Sequence, residues 1–282
     1  MKLLHGRPLA ERINARSRER AEVLRARGIT PALEVVSVGI DPAANTYLQR
    51  LTRLAKPFAT RVHDTALPRD ASERVVIDAL ERASRDPSVN GVLLLTPLPG
   101  KLDEGHLVDH IASEKDLEGV NPYNVGLLLD GRPRYVPSTA EAIVELLKFH
   151  EIALRGADVV VIGRSTVVGR PAAALLLNED ATVTIAHKGT VNLPAITRRG
   201  SVIVVAVGRA SFLTGEMIAP GATVVDAGIN VTPAGITGDV DVESVSTVAG
   251  ALSPVPGGLG TVTTALLLRN LLTATERQTA RD

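Results

Sequence analysis

Gly163-Arg164-Ser165-Thr166-Val167-Val168-Gly169 is the segment whose residue types and spacing bear most directly on chemistry. An apolar run, Val159-Val160-Val161-Ile162, leads into it, and an Ala/Leu-rich stretch from Ala172 to Leu177 leaves it. A strand that enters a Gly/Ser-punctuated turn and leaves as a helix is where a dinucleotide's pyrophosphate sits. Small residues let backbone N–H groups approach the phosphates, and the helix N-terminus adds partial positive charge. The spacing is Gly-x-Ser-x-x-x-Gly rather than the usual fingerprint, so its weight comes from the strand-turn-helix context. The chemistry implied is redox chemistry with a bound nicotinamide.

A second strand ends at Ala186-His187-Lys188-Gly189-Thr190. NAD-selective sites place an acid there for the ribose 2′-hydroxyl; here a cation stands instead. Together with Arg164, Lys188 favours a 2′-phosphate and therefore NADP, with NAD left open. The plainer alternative for Lys188 is a solvated surface lysine. Ala206-Val207-Gly208-Arg209 and Asp226-Ala227-Gly228-Ile229-Asn230 follow the third and fourth strands, at the carboxyl ends where such sheets bind ligands. The candidate cofactor residues are thus Gly163, Arg164, Ser165, Val168, Gly169, His187, Lys188, Val207, Gly208, Asp226, Gly228, Ile229 and Asn230. Asp226 has a bland alternative as a turn cap.

The elements that must position these residues alternate along the whole chain. Helices are expected over Leu9–Arg27, Ala43–Lys56 and Ala71–Ser84, with strands at Ala32–Val38 and Gly91–Leu95 between them. Val120–Gly126 reads as a loop, and a domain boundary falls near Arg132–Pro137, before a helix capped by Ser138 or Thr139. Later strands fall near Val159–Ile162, Ala181–Ile185, Val202–Val205 and Thr223–Val225, and a last helix spans about Val262 to Leu272. This alternation predicts an α/β protein with parallel sheets. Length allows two domains. Thirty-one basic and 31 acidic residues cancel, giving no electrostatic case for nucleic acid or an anionic membrane. With no cysteine, disulfides and thiolate chemistry are excluded. The apolar runs are too short for a signal-peptide core or a membrane span, so a cytoplasmic enzyme is expected.

Several segments together resemble the bifunctional methylenetetrahydrofolate dehydrogenase/cyclohydrolase family. They are Val38-Gly39-x-Asp41-Pro42-Ala43-x-x-x-Tyr47, Thr96-Pro97-Leu98-Pro99, Glu114-Lys115-Asp116-Leu117-Glu118-Gly119-x-x-Pro122-x-Asn124-x-Gly126, Gly163-Arg164-Ser165-x-x-Val168-Gly169-x-Pro171, Ala227-Gly228-Ile229-Asn230, Gly238-Asp239-Val240 and Pro254-Val255-Pro256-Gly257-Gly258-Leu259-Gly260. They occur in family order over nearly the whole chain. The resemblance implies two α/β domains around a cleft: a folate-binding catalytic domain (1–135 plus 262–282) and a Rossmann-like NADP-binding domain (136–261). It implies a last helix that returns to the first domain, and a homodimer. It also implies that Tyr47 stacks on the aminobenzoyl ring of a tetrahydrofolate derivative, and that Pro97, Leu98, Glu118, Pro254, Pro256, Gly257 and Gly258 help bind it.

Three positions depart from the family pattern. Leu51 stands where the family has a lysine four residues after Tyr47, Leu95 where it has a glutamine, and Glu118 where it has an aspartate. Residues four apart share a helix face, so Leu51 is expected to point into the same cleft as Tyr47. No substitute for the lysine is evident. Lys56 is turned away from that face, and the Arg50 guanidinium cannot serve as a base. His106 and His110 have helical i,i+4 spacing but no evident third ligand, so no metal is expected. Hydride transfer needs orientation, whereas hydrolysis of the methenyl product needs proton transfer. The expectation is an NADP-dependent methylenetetrahydrofolate dehydrogenase with cyclohydrolase activity lost or very weak. The competing readings are an NADP-dependent enzyme of this fold repurposed for another folate adduct or a specialised-metabolism substrate, and a non-catalytic folate or NADP binder, with Leu51 and Leu95 as ordinary core.

Overall fold

A computed structural model describes residues 1–39, 42–233 and 235–280. Asp41, part of one family segment, lies outside the described residues. The chain divides into two compact units, one of residues 13–136 with 267–282 and the other of residues 1–12 with 137–266. The first strand, β1 (Lys2–Leu3), belongs to the second unit, and the first helix, α1 (Arg7–Ala26), passes from it into the first.

The first unit is built on a three-stranded parallel sheet. β2 (Ala32–Val38) lies at its centre, between β3 (Arg61–Leu67) and β4 (Gly91–Leu94). Every residue of β2 is buried because helices cover both faces of the sheet, so it carries the near-continuous apolar run of a doubly covered strand. Leu33 and Val35 join an apolar cluster with residues of α1 and of α2 (Pro42–Ala55); Val36 and Val38 join another with α3 (Glu73–Arg85) and α4 (Glu104–Val108). β3 was not anticipated. Its charged alternation, Arg-Val-His-Asp-Thr, is that of a half-exposed edge strand. The expected loop at Val120–Gly126 is corrected to a helix, α5 (Pro122–Leu129). The Asn121 side chain accepts from the Tyr123 N–H at 2.9 Å, and Pro122 occupies the first turn, where a missing N–H costs nothing.

The second unit holds a six-stranded, all-parallel sheet. α6 (Ser138–Phe149) precedes it; Ser138 is the first helical residue and Pro137 the cap, one position from the expected boundary. Next come β5 (Asp158–Ile162), α7 (Gly169–Asn178), β6 (Thr182–Ala186), α8 (Leu193–Thr197), β7 (Val202–Val205) and β8 (Thr223–Asp226). A short hairpin, β9 (Asn230–Thr232) with β10 (Gly235–Thr237), precedes α9 (Val242–Ser246) and β11 (Ala251–Leu252). The strand order is β1-β11-β8-β7-β5-β6, so β6 and β7 lie on opposite sides of β5. Strand order reverses there, and a doubly wound sheet opens its ligand crevice at that point. The last helix, α10 (Leu259–Thr279), extends the expected one at both ends. Its residues from 267 onward pack in the first unit, where Arg20 donates to Glu276 Oε2 at 2.6 Å and Asn270 Nδ2 to the Leu117 carbonyl at 3.1 Å. No helix among the described residues is long and apolar enough to cross a membrane.

Candidate functional site

Four loops at the carboxyl ends of β5, β6, β7 and β8 form a candidate nucleotide site within the second unit. Backbone pairing runs on past the strands: Gly163 N–H donates to the Ala186 carbonyl at 2.9 Å, and Ala206 N–H to Ile162 at 2.8 Å. Gly163 has φ of 130°, and a Cβ there would lie 2.2 Å from the Ala206 carbonyl oxygen. A Cβ on Gly169 would lie equally close, 2.2 Å, to the Gly163 oxygen, so the turn closes only with both side chains absent. Ser165 Oγ accepts from the N–H groups of Val168 and Gly169 at 3.2 and 3.3 Å and ties the turn to the start of α7.

Arg164 and Lys188 are exposed, and neither has an ion-pair partner among the described residues. Both are available to an anion. His187 Nδ1 accepts from the Gly189 N–H at 3.1 Å, so a neutral ring carries its proton on Nε2. These residues suit a dinucleotide with a phosphorylated ribose: a glycine cradle that a Cβ would fill, a helix start, and two uncommitted cations.

Beyond β8 the arrangement differs from the expectation of direct contact. Asp226 is buried and spends its carboxylate inward, accepting from the N–H groups of Gly228, Asp239 and Val240 at 2.9, 2.9 and 3.0 Å. Burial raises its pKa above the ordinary carboxylate value, against the pull of those N–H groups. Its bland alternative as a turn-shaping residue is the geometry found. Gly228 also faces inward, where a Cβ would fall 2.2 Å from the Asp239 carboxylate. Asn230 Nδ2 donates to Asp239 Oδ1 at 2.8 Å. Ile229 alone of that loop is strongly exposed, at 68%.

Asp239 is the residue that sequence reasoning passed over. It is 0% exposed, and its carboxylate receives Val207 and Gly208 N–H on Oδ2 at 2.7 and 2.8 Å and Arg209 N–H on Oδ1 at 2.8 Å. The signal was present in Gly238-Asp239-Val240, since an acid next to a glycine in a shared segment can bury its charge against backbone. A Cβ on Gly238 would lie 1.9 Å from Asp226 Oδ2, which is why glycine stands there.

The first unit carries the other half of the candidate residues. Ser37, Val38, Ala44, Arg69, Leu95, Pro97 and Leu98 line a depression at the carboxyl ends of β2 and β4. Tyr47 is 36% exposed; desolvation and then the Glu118 carboxylate raise its pKa, and Arg50 opposes them, so the phenol stays protonated. Leu51 is a correction. It does not face open space beside Tyr47 but is 0% exposed, in one apolar cluster with Leu33, Phe58, Leu117 and Leu95. Ala44, Leu48, Leu51 and Ala55 form the inward stripe of α2, with Tyr47 at its margin. Leu95, 7% exposed, both belongs to the cluster and lines the depression.

Asp116, buried beside Glu118, accepts from Asn121 N–H and Asn124 Nδ2 at 2.8 and 2.9 Å, and burial raises its pKa. Lys115 donates to the Asp86 carbonyl at 2.6 Å, which ties it to the end of α3. His106 and His110 pair with Glu73 and Glu81 at 2.6 and 3.0 Å, and no cluster among the described residues could hold a metal. Pro254, Pro256, Gly257 and Gly258 belong to the second unit, where Gly6 N–H donates to the Gly257 carbonyl at 2.9 Å.

Comparison with known proteins also divides the chain in two, with the break between residues 118 and 137. Residues 4–118 match the tetrahydrofolate dehydrogenase/cyclohydrolase catalytic domain, and residues 137–279 match the NAD(P)-binding domain of the same family. The chain belongs to the tetrahydrofolate dehydrogenase/cyclohydrolase family. Among its relatives, the bifunctional protein FolD of Nocardia farcinica is 46% identical over 275 residues, covering 97% of each chain. The crystal structure of the bifunctional FolD enzyme of Campylobacter jejuni superposes with a TM-score of 0.95 at 36% identity, covering 98% of this chain and 99% of that one. The methylenetetrahydrofolate dehydrogenase-cyclohydrolase of Trypanosoma brucei, solved with NADP and an inhibitor, gives 0.93 at 32% identity, covering 99% and 98%. The family's fold thus spans 98–99% of the chain.

Proposed function

We propose that this chain is an NADP-linked 5,10-methylenetetrahydrofolate dehydrogenase whose cyclohydrolase activity is lost or very weak. One observation carries the reading: Leu51, at the family's lysine position, is sealed in the same apolar cluster as Leu95, at its glutamine position, while the nucleotide loops keep their glycines and free cations.

NADP, when bound, supplies the hydride acceptor. Gly163 and Gly169 let backbone N–H groups reach its pyrophosphate, and Arg164 and Lys188 hold its 2′-phosphate. Tyr47 stacks on the aminobenzoyl ring, Pro97 and Leu98 back the folate, and Glu118 accepts from the pterin's N–H donors. Hydride transfer from the methylene carbon then depends on orientation and asks no proton of the chain. Ring opening by water does require a proton carrier. Leu51 and Leu95 carry none, the Arg50 guanidinium cannot act as a base, and the Tyr47 phenol stays protonated. Losing general acid–base assistance slows such a step about 10²–10⁴-fold. The reading includes a cytoplasmic homodimer, with neither nucleic acid nor membrane as partner; equal numbers of acidic and basic residues, 31 each, support the last point. Light scattering tests the dimer.

The deciding experiment mixes purified protein with methylenetetrahydrofolate and NADP and follows NADPH and methenyltetrahydrofolate by absorbance, corrected for spontaneous hydrolysis. Both products are expected to rise together, with methenyl accumulating. Absence of both products would overturn the dehydrogenase reading and turn attention to another folate adduct or a binding role.

A further inference from the structure

We propose that Asp239 is a positioning residue for the nicotinamide half of the dinucleotide, acting through the loop Val207-Gly208-Arg209. The inference rests on the NADP reading above. The crevice of the sheet opens where β6 and β7 flank β5. With the pyrophosphate on the Gly163–Gly169 turn and the 2′-phosphate beside Lys188 at the end of β6, the nicotinamide half must cross towards β7. The loop after β7 is therefore the backbone that meets it.

Gly208 lets the loop turn, with φ of 65°, but its N–H groups find their partner elsewhere in the chain. Three successive N–H groups, of Val207, Gly208 and Arg209, converge on one carboxylate thirty residues away in the chain, at 2.7–2.8 Å. Asn230 adds a fourth donor at 2.8 Å, and Asp239's own carbonyl accepts from Phe212 and Leu213 N–H at 2.7 and 3.0 Å. The loop is thus clamped from both its start and its end. Both carboxylate oxygens face donors only. An amide in place of the acid, in either orientation, sets its NH₂ against N–H groups and forces the loop out of its present path, although it fills the same volume.

The test is Asp239→Asn, read by two ligands and one rate. Affinity for 2′,5′-ADP, which carries only the adenosine half and the 2′-phosphate, is expected to stay within about twofold of wild type. Affinity for NADP is expected to fall about tenfold or more, and kcat for hydride transfer to fall with it. Should Asp239→Asn fail to fold, Gly208→Ala probes the same loop independently. Gly208 has φ of 65° with open space around the missing Cβ, so alanine strains the loop without a clash. It should give the same split between the two ligands. Equal loss of 2′,5′-ADP and NADP affinity, or wild-type values for both and for kcat, would overturn the proposal. Wild-type protein that binds neither ligand would instead overturn the cofactor reading, and the proposal with it.

Discussion

Placing lysine at position 51 and glutamine at position 95, the pair that the proposed function holds necessary for the water chemistry, is the most searching perturbation of the first unit. Leu51→Lys alone places an ammonium inside an apolar cluster that solvent does not reach. It forfeits about 1.5–3 kcal/mol of leucine burial. Desolvation that depresses the lysine pKa by about 3 units adds about 4 kcal/mol at neutral pH. The sum, about 5–7 kcal/mol, is a large part of the 5–15 kcal/mol typical of a folded protein, so a fall in Tm of roughly 10–20 °C is expected. Adding Leu95→Gln supplies an amide oxygen within the same cluster, and a coupling of about 0.5–3 kcal/mol should return part of that loss. The double variant should also regain proton-transfer capacity. Starting from methenyltetrahydrofolate without NADP, its hydrolysis rate above the spontaneous background should exceed wild type by about 10²–10⁴. A wild-type chain that already clears methenyltetrahydrofolate as fast as the double variant would refute the reasoning. So would a folded, folate-binding double variant with no gain.

Three further outcomes follow from the same geometry. Lys188→Ala should raise KM for NADP about tenfold or more while sparing the KM for NAD, because one charged hydrogen bond to a phosphate is worth about 1.5–3 kcal/mol; steady-state kinetics with both cofactors check this. Gly238→Ala puts a methyl group 1.9 Å from Asp226 Oδ2 in a buried carboxylate network, and urea unfolding should show a loss of more than about 2 kcal/mol. Burial raises Asp116 and Asp226 above their ordinary value of 3.8, so the folded chain binds more protons than the unfolded one just above that pH. Their contribution therefore destabilises at neutral pH and is relieved as pH falls through the raised values. Glu81 and Asp86, held low first by the side-chain hydrogen bonds of His110 and Ser88, act with the opposite sign below their ordinary values of 4.5 and 3.8. Urea midpoints measured from pH 7 downwards should show the gain from Asp116 and Asp226 before acid unfolding, and the slope should flatten in Asp116→Asn.

The central parallel strands of both units were legible because burial on two faces writes itself as near-continuous runs rich in Val, Leu and Ile. Edge and local elements were less so. β3 alternates charged and apolar residues along an exposed edge, and α5 depends on a single Asn-Pro cap. Spacing placed Leu51 on the face of Tyr47, but only packing against α1, the sheet and α10 decides that one is sealed and the other exposed. Asp239 was hidden for the opposite reason. Its segment was visible, yet its partners lie thirty residues earlier, and no local pattern announces a contact of that range.

The two halves differ in what a substitution can remove. The nucleotide loops present backbone N–H groups, shaped by glycines that tolerate no Cβ and by two buried aspartates. Side-chain drift elsewhere leaves that machinery in place, so a dinucleotide site persists as long as the sheet does. Under the proposed function, Leu51 and Leu95 stand where water chemistry needs a lysine and its glutamine partner, and both lie in one apolar cluster. Replacing one alone strands the other: a lysine without its partner is a buried charge, and a glutamine without it is an unpaired amide. Replacing both with leucine removes that strain and extends the core. Under the proposed function, the paired leucines therefore favour stability where the hydrolytic step is not required, and hydride transfer, which asks only for orientation, is retained.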